Sequence, residues 1–330
     1  MATKHLGKGS NMQTERLEAN QDGLARAGAL LASGALVAFP TETVYGLGAN
    51  ARDGRAVARI YEAKGRPSFN PLIVHVANLE AAREIGVFNE DAERLAAAFW
   101  PGALTLVLPL RPEAGLSPLV TAGLDSVALR LPGLGLARHL LEAAACPVAA
   151  PSANPSGRLS PTSAAHVLAG LDGNIDAVFD GGETPIGLES TIVGLSETPI
   201  LLRPGGVALE TIEACLGQTL ARPGKEATTT PNAPGQLASH YAPRAPLRLN
   251  VVSALPGERL LGFGPAEAGQ NPLLNLSPTA DLREAAANLF TYLHRLDREG
   301  DAPIAVAPIP ETGLGLAIND RLRRAAAPRG

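Results

Sequence analysis

Lys64 and Arg66, spaced as Lys-x-Arg-Pro and followed by Asn70-Pro71-Leu72, put an ammonium and a guanidinium just past a helix end, in a stretch held open by glycine and proline. A mobile point charge beside a planar fork suits a polyphosphate; the same pair could equally do no more than offset the negative end of the helix dipole. Ser152 and Asn154, after the apolar run Val148-Ala149-Ala150, offer a hydroxyl and an amide at a strand terminus, where α/β folds place ligands and where ordinary turns also occur. Arg130 stands inside Val127 to Leu131. A charge there must face solvent, a buried carboxylate or an anionic ligand, because leaving it unpaired is costly. His75 interrupts Leu72 to Val76 in the same way, and a lone histidine in a strand is more often a satisfied core residue than a ligand. Arg203 ends the strand Ile200 to Leu202, Glu189-Ser190-Thr191 opens another, and Thr41, Thr43 and Tyr45 form a hydroxyl-rich loop. Each also has a bland reading as a surface contact or a loop cap.

Generic signatures are weak or missing. Gly46-Leu47-Gly48-Ala49-Asn50-Ala51 resembles a GxGxxA turn, but it does not directly follow its strand, and no acidic residue sits about 20 positions later to hold a ribose. There is no HExxH and no GxSxG, and the six histidines are scattered, which argues against a zinc site or an esterase elbow. Cys146 and Cys215 lie in no CxxC and read as reduced core thiols of a cytoplasmic protein.

The elements that must position these residues alternate. A small-residue helix from Asp22 to about Ser33 is followed by a strand at Ala35 to Phe39, a loop from Pro40 to Gly48 and a helix from Gly54 to Lys64 that Gly65 ends. Asn89 caps a helix running to Trp100, and further strands are expected at Leu104 to Leu108, Val127 to Leu131, Pro147 to Ala150, Ala177 to Asp180, Thr191 to Val193 and Ile200 to Leu202. The pattern predicts a flexible N-terminal tail over 1–20, a mixed α/β domain over 21–216, a Pro- and Thr-rich linker over 217–246, and a small Rossmann-like α/β domain over 247–330 built around a helix from Leu282 to Arg298.

Composition bounds the function. At 330 residues two domains fit better than one, and 45% hydrophobic against 18% charged residues is enough for a packed core. With 28 Lys and Arg against 32 Asp and Glu the net charge is −4, which argues against a general nucleic-acid coat; the 4% aromatics leave few rings for stacking single-stranded RNA. No apolar run reaches the roughly 20 residues that span a bilayer.

Taken in order, Phe39 to Gly48, the KxRP and PL pair around Lys64, Ser152 with Asn154, Glu189 to Val193, Leu202 to Gly205, His240-Tyr241-Ala242-Pro243 and Gly313 to Leu322 resemble the YrdC-like family, in a two-domain layout that looks like its threonylcarbamoyl-AMP synthases. The resemblance implies a YrdC-like twisted mixed sheet with helices and a concave cationic groove, plus the smaller C-terminal domain. It implies condensation of L-threonine, bicarbonate or CO2, and ATP into threonylcarbamoyl-AMP and pyrophosphate, the first step of making threonylcarbamoyladenosine in tRNA. Carried over residue by residue, Lys64 and Arg66 would be catalytic cations. Thr43, His75, Arg130 and Ser190 would hold threonine. Arg66, Asn70, Ser126, Ser152, Asn154, Ser160, Arg203 and Tyr241 would hold ATP. Mg²⁺ would come with the nucleotide, with no protein side chain identified as its ligand. Downstream tRNA threonylcarbamoyl-transfer proteins would be the partners, with no membrane and no direct tRNA binding. An RNA-binding module, or a carbamoyltransferase maturation factor that should carry zinc-finger cysteines, is the alternative.

Overall fold

The computed structural model describes residues 13–196, 198–222, 240–266 and 272–328; the first twelve residues of the expected tail and the middle of the expected linker, 223–239, lie outside them. The described residues form two sheets. The larger has strands β1 (Glu15–Glu18), β2 (Val37–Pro40), β3 (Tyr45–Asn50), β4 (Ile73–His75), β5 (Leu104–Pro109), β6 (Ser126–Arg130), β7 (Val148–Ala149), β8 (Ala177–Asp180), β9 (Thr191–Gly194) and β10 (Ile200–Arg203), in the spatial order β1-β8-β2-β3-β7-β4-β6-β5-β9-β10. Its pairings are mixed: β4 runs parallel to β6 and antiparallel to β7, and β5 runs parallel to β9 and antiparallel to β6. Helices α1 (Gln21–Ala32), α2 (Gly54–Lys64), α3 (Leu79–Ile85), α4 (Glu90–Phe99), α5 (Pro118–Thr121), α6 (Gly135–Ala144), α7 (Ala164–Leu171) and α8 (Leu209–Leu216) connect the strands. The smaller sheet, β11 (Leu247–Arg248), β12 (Arg259–Gly262), β13 (Leu274–Asn275) and β14 (Ile304–Val306), is parallel throughout in the order β11-β14-β12-β13, with helices α9 (Leu282–Arg298) and α10 (Leu314–Ala326). Among the described residues no helix is long and apolar enough to cross a membrane.

Local chemistry sets the helices that matter for the site. The Asp53 carboxylate caps α2 by accepting from the Arg55 and Ala56 amides, Val57, Ile60, Tyr61 and Lys64 share its buried face, and Gly65 ends it at φ 57°, a conformation glycine adopts without penalty. In α9, Asp281 caps in the same manner and Leu289, Leu293 and Leu296 fall on one buried face, so its predicted limits and observed limits agree.

Two expectations change. Glu15–Glu18, read as tail, pairs in parallel with β8, and the buried Leu17 joins the packing between α1 and α6, so order begins before α1. Tyr45–Asn50, read largely as loop, is a strand pairing with both β2 and β7. Gly48 serves packing: a Cβ there would stand 2.9 Å from Phe39 Cε1 and from Val148 Cγ1.

Strand periodicity then builds the functional face. Successive side chains alternate across a sheet, so Ile73 and His75 of β4, Ser126, Ala128 and Arg130 of β6, Val107 of β5, and Ile192 and Gly194 of β9 lie on one side. Register fixes this, with Ile73 opposite Ala128, His75 opposite Arg130, and Val107 opposite both Ala128 and Gly194. The other side packs Val74, Leu106, Leu129 and Val193 into the main core against residues of α3, α4 and α8. The functional side carries an apolar strip of Ile73, Val107, Ala128, Ile192 and Leu202. The strip has a cavity at each end.

Candidate functional site

The cavity at the Arg130 end, about 50 Å³, is lined by Thr43, Arg66, His75, Arg130, Ser152, Ser190, Arg203 and Tyr241 together with Glu189 and His240, so eight residues predicted from sequence meet there. Three guanidinium groups and one carboxylate face one small space. An anion is the ligand such a surface suits.

Arg130 enters this space from the end of β6. Its Nη2 donates to Glu42 Oε1 at 2.6 Å and its Nε to the Gly102 carbonyl at 3.2 Å, while the Leu134 amide donates to the second Glu42 oxygen at 3.2 Å. Burial alone would raise the Glu42 carboxyl, but the Arg130 charge and the hydrogen bonds outweigh it and hold the carboxyl below its ordinary value. Glu42 thus fixes the guanidinium from behind. Thr43 lies beside it, fully buried, with its hydroxyl 2.7 Å from that of Thr41. His75 packs edge-on against Phe39 at 6.1 Å.

Arg66 and Arg203 form the opposite wall. Arg66 donates from Nη2 to the Pro71 carbonyl at 3.1 Å and from Nε to the Asn70 carbonyl at 3.4 Å. Burial pulls its guanidinium down to about 10, with Arg203 adding to the fall. Arg203 clasps the Ser190 carbonyl through Nε at 3.2 Å and Nη2 at 2.9 Å, and its Nη2 also reaches the Ser190 hydroxyl at 3.2 Å. The Ser190 hydroxyl lies 2.7 Å from Thr105 Oγ1, which orients it at the cavity wall.

Five predicted residues do not line this cavity. Lys64, expected to face a polyphosphate, is turned to backbone: its ammonium donates to the Ser152 carbonyl at 2.6 Å and to the Asn154 carbonyl, and its burial leaves these acceptors in place of solvent. Asn154 and Asn70 are buried just outside the lining. Ser160 stands behind Glu189, to which its hydroxyl donates. Ser126 lies at the far end of the apolar strip, in the second cavity with Gly194, Thr198 and Ile200, because strand β6 carries it two side-chain repeats away from Arg130.

Buried polar atoms without a partner in the protein concentrate here: both side-chain atoms of Asn70, Oδ1 of Asn154, and Nδ1 of His75 and of His240. Buried polar groups are ordinarily paired, so this clustering marks a surface built to receive hydrogen bonds from elsewhere.

His240 and Tyr241, from the end of the linker, close the cavity. The His240 amide donates to the Arg324 carbonyl at 3.2 Å and the Ala242 amide to the Gly157 carbonyl at 2.9 Å, which pins the segment to both units. Tyr241 sits at φ 62°, a left-handed conformation that costs about 1–2 kcal/mol for a residue with a Cβ, and its ring packs 5.7 Å from Phe290 of α9. Glu42, Glu189, His240 and Arg321 of α10, which donates from Nε to Glu189 Oε2 at 2.7 Å, were assigned no role from sequence. The requirement that a strand arginine find a carboxylate was the available signal for Glu42.

The two cavity histidines set a pH dependence. Burial, then Arg130, pushes His75 down to about 3, and burial, then Arg66, does the same to His240. The folded state therefore refuses protons that the unfolded chain takes up near 6.5, so this stability is present above 6.5 and is lost as pH falls toward 3. Chemical unfolding at pH 7 and pH 5.5 is expected to show a loss of about 2–3 kcal/mol from these two residues at the lower pH, and a flat profile would overturn the assignment of both as neutral.

Comparison with known proteins agrees with this layout. A Sua5/YciO/YrdC family model, described as telomere recombination, matches residues 29–205, and one described as the threonylcarbamoyl-AMP synthase C-terminal domain matches residues 207–327. The chain is 45% identical to the threonylcarbamoyl-AMP synthase of Bacillus subtilis over 96% of each chain, and 45% identical to that of Pyrococcus abyssi over 92% of this chain and 94% of the other. A crystal structure of P. abyssi Sua5 complexed with L-threonine superposes with a TM-score of 0.86 at 41% identity, covering 95% of this chain and 97% of that one.

Proposed function

The chain belongs to the Sua5/YciO/YrdC family, in the two-unit form of the threonylcarbamoyl-AMP synthases, and from this premise we propose that it condenses L-threonine, bicarbonate and ATP into threonylcarbamoyl-AMP and pyrophosphate. The observation that carries the reading is Arg66. It is a buried guanidinium whose named acceptors are backbone carbonyls, facing the same cavity as Arg203 and Arg130. An anionic substrate supplies a counter-charge to Arg66.

Arg130, braced by Glu42, takes the threonine carboxylate on the part of its fork that Glu42 and Gly102 leave uncommitted, and Thr43, Ser190 and neutral His75 set the amine and hydroxyl. The adenosine lies along the apolar strip of Ile73, Val107, Ala128, Ile192 and Leu202 toward Ser126, with its phosphates at Arg66, Arg203 and Ser152. Bicarbonate takes up a proton and loses water to give CO2, to which the threonine amine adds with loss of a proton to give a carbamate. A carbamate oxygen then attacks the α-phosphorus, and the bond to the β-phosphate oxygen breaks as pyrophosphate leaves. No covalent enzyme intermediate is needed; the protein orients two anions that would otherwise repel and stabilises the charge that shifts to the leaving group.

Among the described residues no group of three or more histidine, cysteine or acidic side chains could hold a metal ion, and Glu42 and Glu189 are committed to Arg130 and Arg321. In this reading a magnesium ion takes part as a companion of the triphosphate. The product, a mixed anhydride of a carbamate and AMP, is suited to a downstream protein that transfers the threonylcarbamoyl group to tRNA.

Pyrophosphate release is the test. It is expected with ATP, bicarbonate and threonine together, and to fall to background when threonine is replaced by serine or left out. Threonine-independent release, or none at all, would sink the proposal.

A further inference from the structure

Arg321 heads the large, fully buried side chains among the described residues, and it belongs to α10 of the second unit. It reaches across to the catalytic unit: Nε donates to Glu189 Oε2 at 2.7 Å, Nη1 to the Pro204 carbonyl at 2.9 Å and to Asp320 Oδ2 at 2.7 Å, and its Cζ lies 5.1 Å from the centre of the Tyr241 ring. Two of these partners, Glu189 and Tyr241, line the proposed site. The remaining nitrogen, Nη2, is buried with no hydrogen-bond partner in the protein.

Burying a guanidinium is expensive, and a well-packed apolar side chain often serves stability as well or better. What an apolar residue could not do here is neutralise Glu189. That carboxylate is held by Arg321 on one oxygen and by the Ser160 hydroxyl on the other, and it immediately precedes Ser190, which Arg203 clasps. Unneutralised, it would be the sole carboxylate among the cavity's lining residues, placed to repel a triphosphate. The same guanidinium stacks its charge on Tyr241, whose backbone is already in a left-handed conformation that needs support from its surroundings. The carboxylate anchor of the threonine end is built from different parts, with Arg130 braced by Glu42 and by Gly102, although Ser190 at that end directly follows Glu189.

We propose that Arg321 is a positioning residue for the nucleotide: by neutralising and orienting Glu189 and fixing the Tyr241 ring, it makes the second unit set the ATP side of the site more than the Arg130 anchor of the threonine side. This rests on the reading of the cavity as a threonine and ATP site. It gives the second unit a place in catalysis that its fold alone does not suggest.

The test uses the full chain as wild type, Arg321→Lys, Arg321→Met, and the double variant Arg321→Met with Glu189→Gln, which removes both charges so that no lone buried carboxylate prevents folding. Affinity for a non-hydrolysable ATP analogue and for threonine is measured separately by calorimetry, beside KM and kcat for pyrophosphate release. For Arg321→Met we expect ATP-analogue affinity and kcat/KM for ATP to fall about 10- to 100-fold while threonine affinity changes less, the double variant to recover the part of the loss that came from the uncompensated Glu189 charge, and Arg321→Lys to recover part of it by restoring charge without the fork. Parallel losses for both ligands, or an Arg321→Met variant that binds the analogue as wild type does, would assign Arg321 to stability alone and overturn the proposal. A wild-type protein that binds the analogue but releases no pyrophosphate would instead defeat the functional reading, with the affinity comparison still deciding the role of Arg321.

Discussion

Replacing Arg130 with alanine is expected to lower threonine-dependent pyrophosphate release by roughly 10²- to 10³-fold, because truncating one member of a buried hydrogen-bonded charge pair costs about 2–5 kcal/mol and each 1.4 kcal/mol is about tenfold. The loss has two sources that can be separated. One is the ligand: the fork that would hold the threonine carboxylate is gone. The other is Glu42, left 8% exposed and without the cation that keeps it ionised at low cost. A companion variant, Arg130→Met with Glu42→Gln, removes both charges and is expected to recover most of the thermal stability lost by Arg130→Ala while recovering none of the turnover. If the double variant regains turnover as well, Arg130 serves only to balance Glu42. Arg130→Lys is no rescue in this account, since one ammonium cannot hold Glu42 and Gly102 and still offer a fork to a carboxylate.

The contrast between what was legible in the sequence and what was not follows the range of the interactions. Helices α2 and α9 were readable because a cap residue, a period and a terminating residue all lie within the segment itself. The placement of His75 and Arg130 was readable for a similar reason: each is a polar residue at a fixed phase of a strand, and the phase alone puts it on a face. The residues that brace the site were harder. Glu42 finds Arg130 at a separation of 88 residues, and Glu189 finds Arg321 at a separation of 132, so no local pattern joins either pair. Short helices such as α6 and α7, which lie between the expected strands, were not anticipated. The glycines before α6 and the polar residues before α7 read locally as turns, and both helices gain their stability from the faces they bury, Leu140, Leu141 and Val167 among them. Tyr45 to Asn50 was missed as a strand for the converse reason, since Gly46 and Gly48 are poor strand formers that tertiary packing selects.

Lys64 is the case where a residue of the right type makes contacts other than those its motif suggests, and it yields the second large effect. An ammonium just past a helix end reads as a mobile cation for phosphate, but backbone carbonyls have no letter in a sequence, and it is two of these, at Ser152 and Asn154, that hold it. Burial, then the nearby Arg66, depresses its pKa well below the usual lysine value, as expected of a cation withdrawn from water into a polar clasp. Lys64→Met keeps the length and the packing and removes the donors; the Ser152 carbonyl keeps the Asn154 amide at 3.0 Å, while the Asn154 carbonyl loses its lysine donor at about 1–3 kcal/mol, partly offset by the desolvation that the charge no longer suffers. The expected outcome is a net loss of roughly 1–3 kcal/mol in unfolding free energy together with a fall in ATP-dependent turnover of about 10²-fold, since a displacement near 1 Å of the Ser152 turn at the cavity wall is enough for that. Denaturant unfolding and pyrophosphate release on the same samples decide it. A cation acting directly on the triphosphate would leave the unfolding free energy unchanged while turnover collapses, whereas a cation that builds the wall on which the triphosphate rests must lose both, and the clasp seen at Ser152 and Asn154 requires the second result.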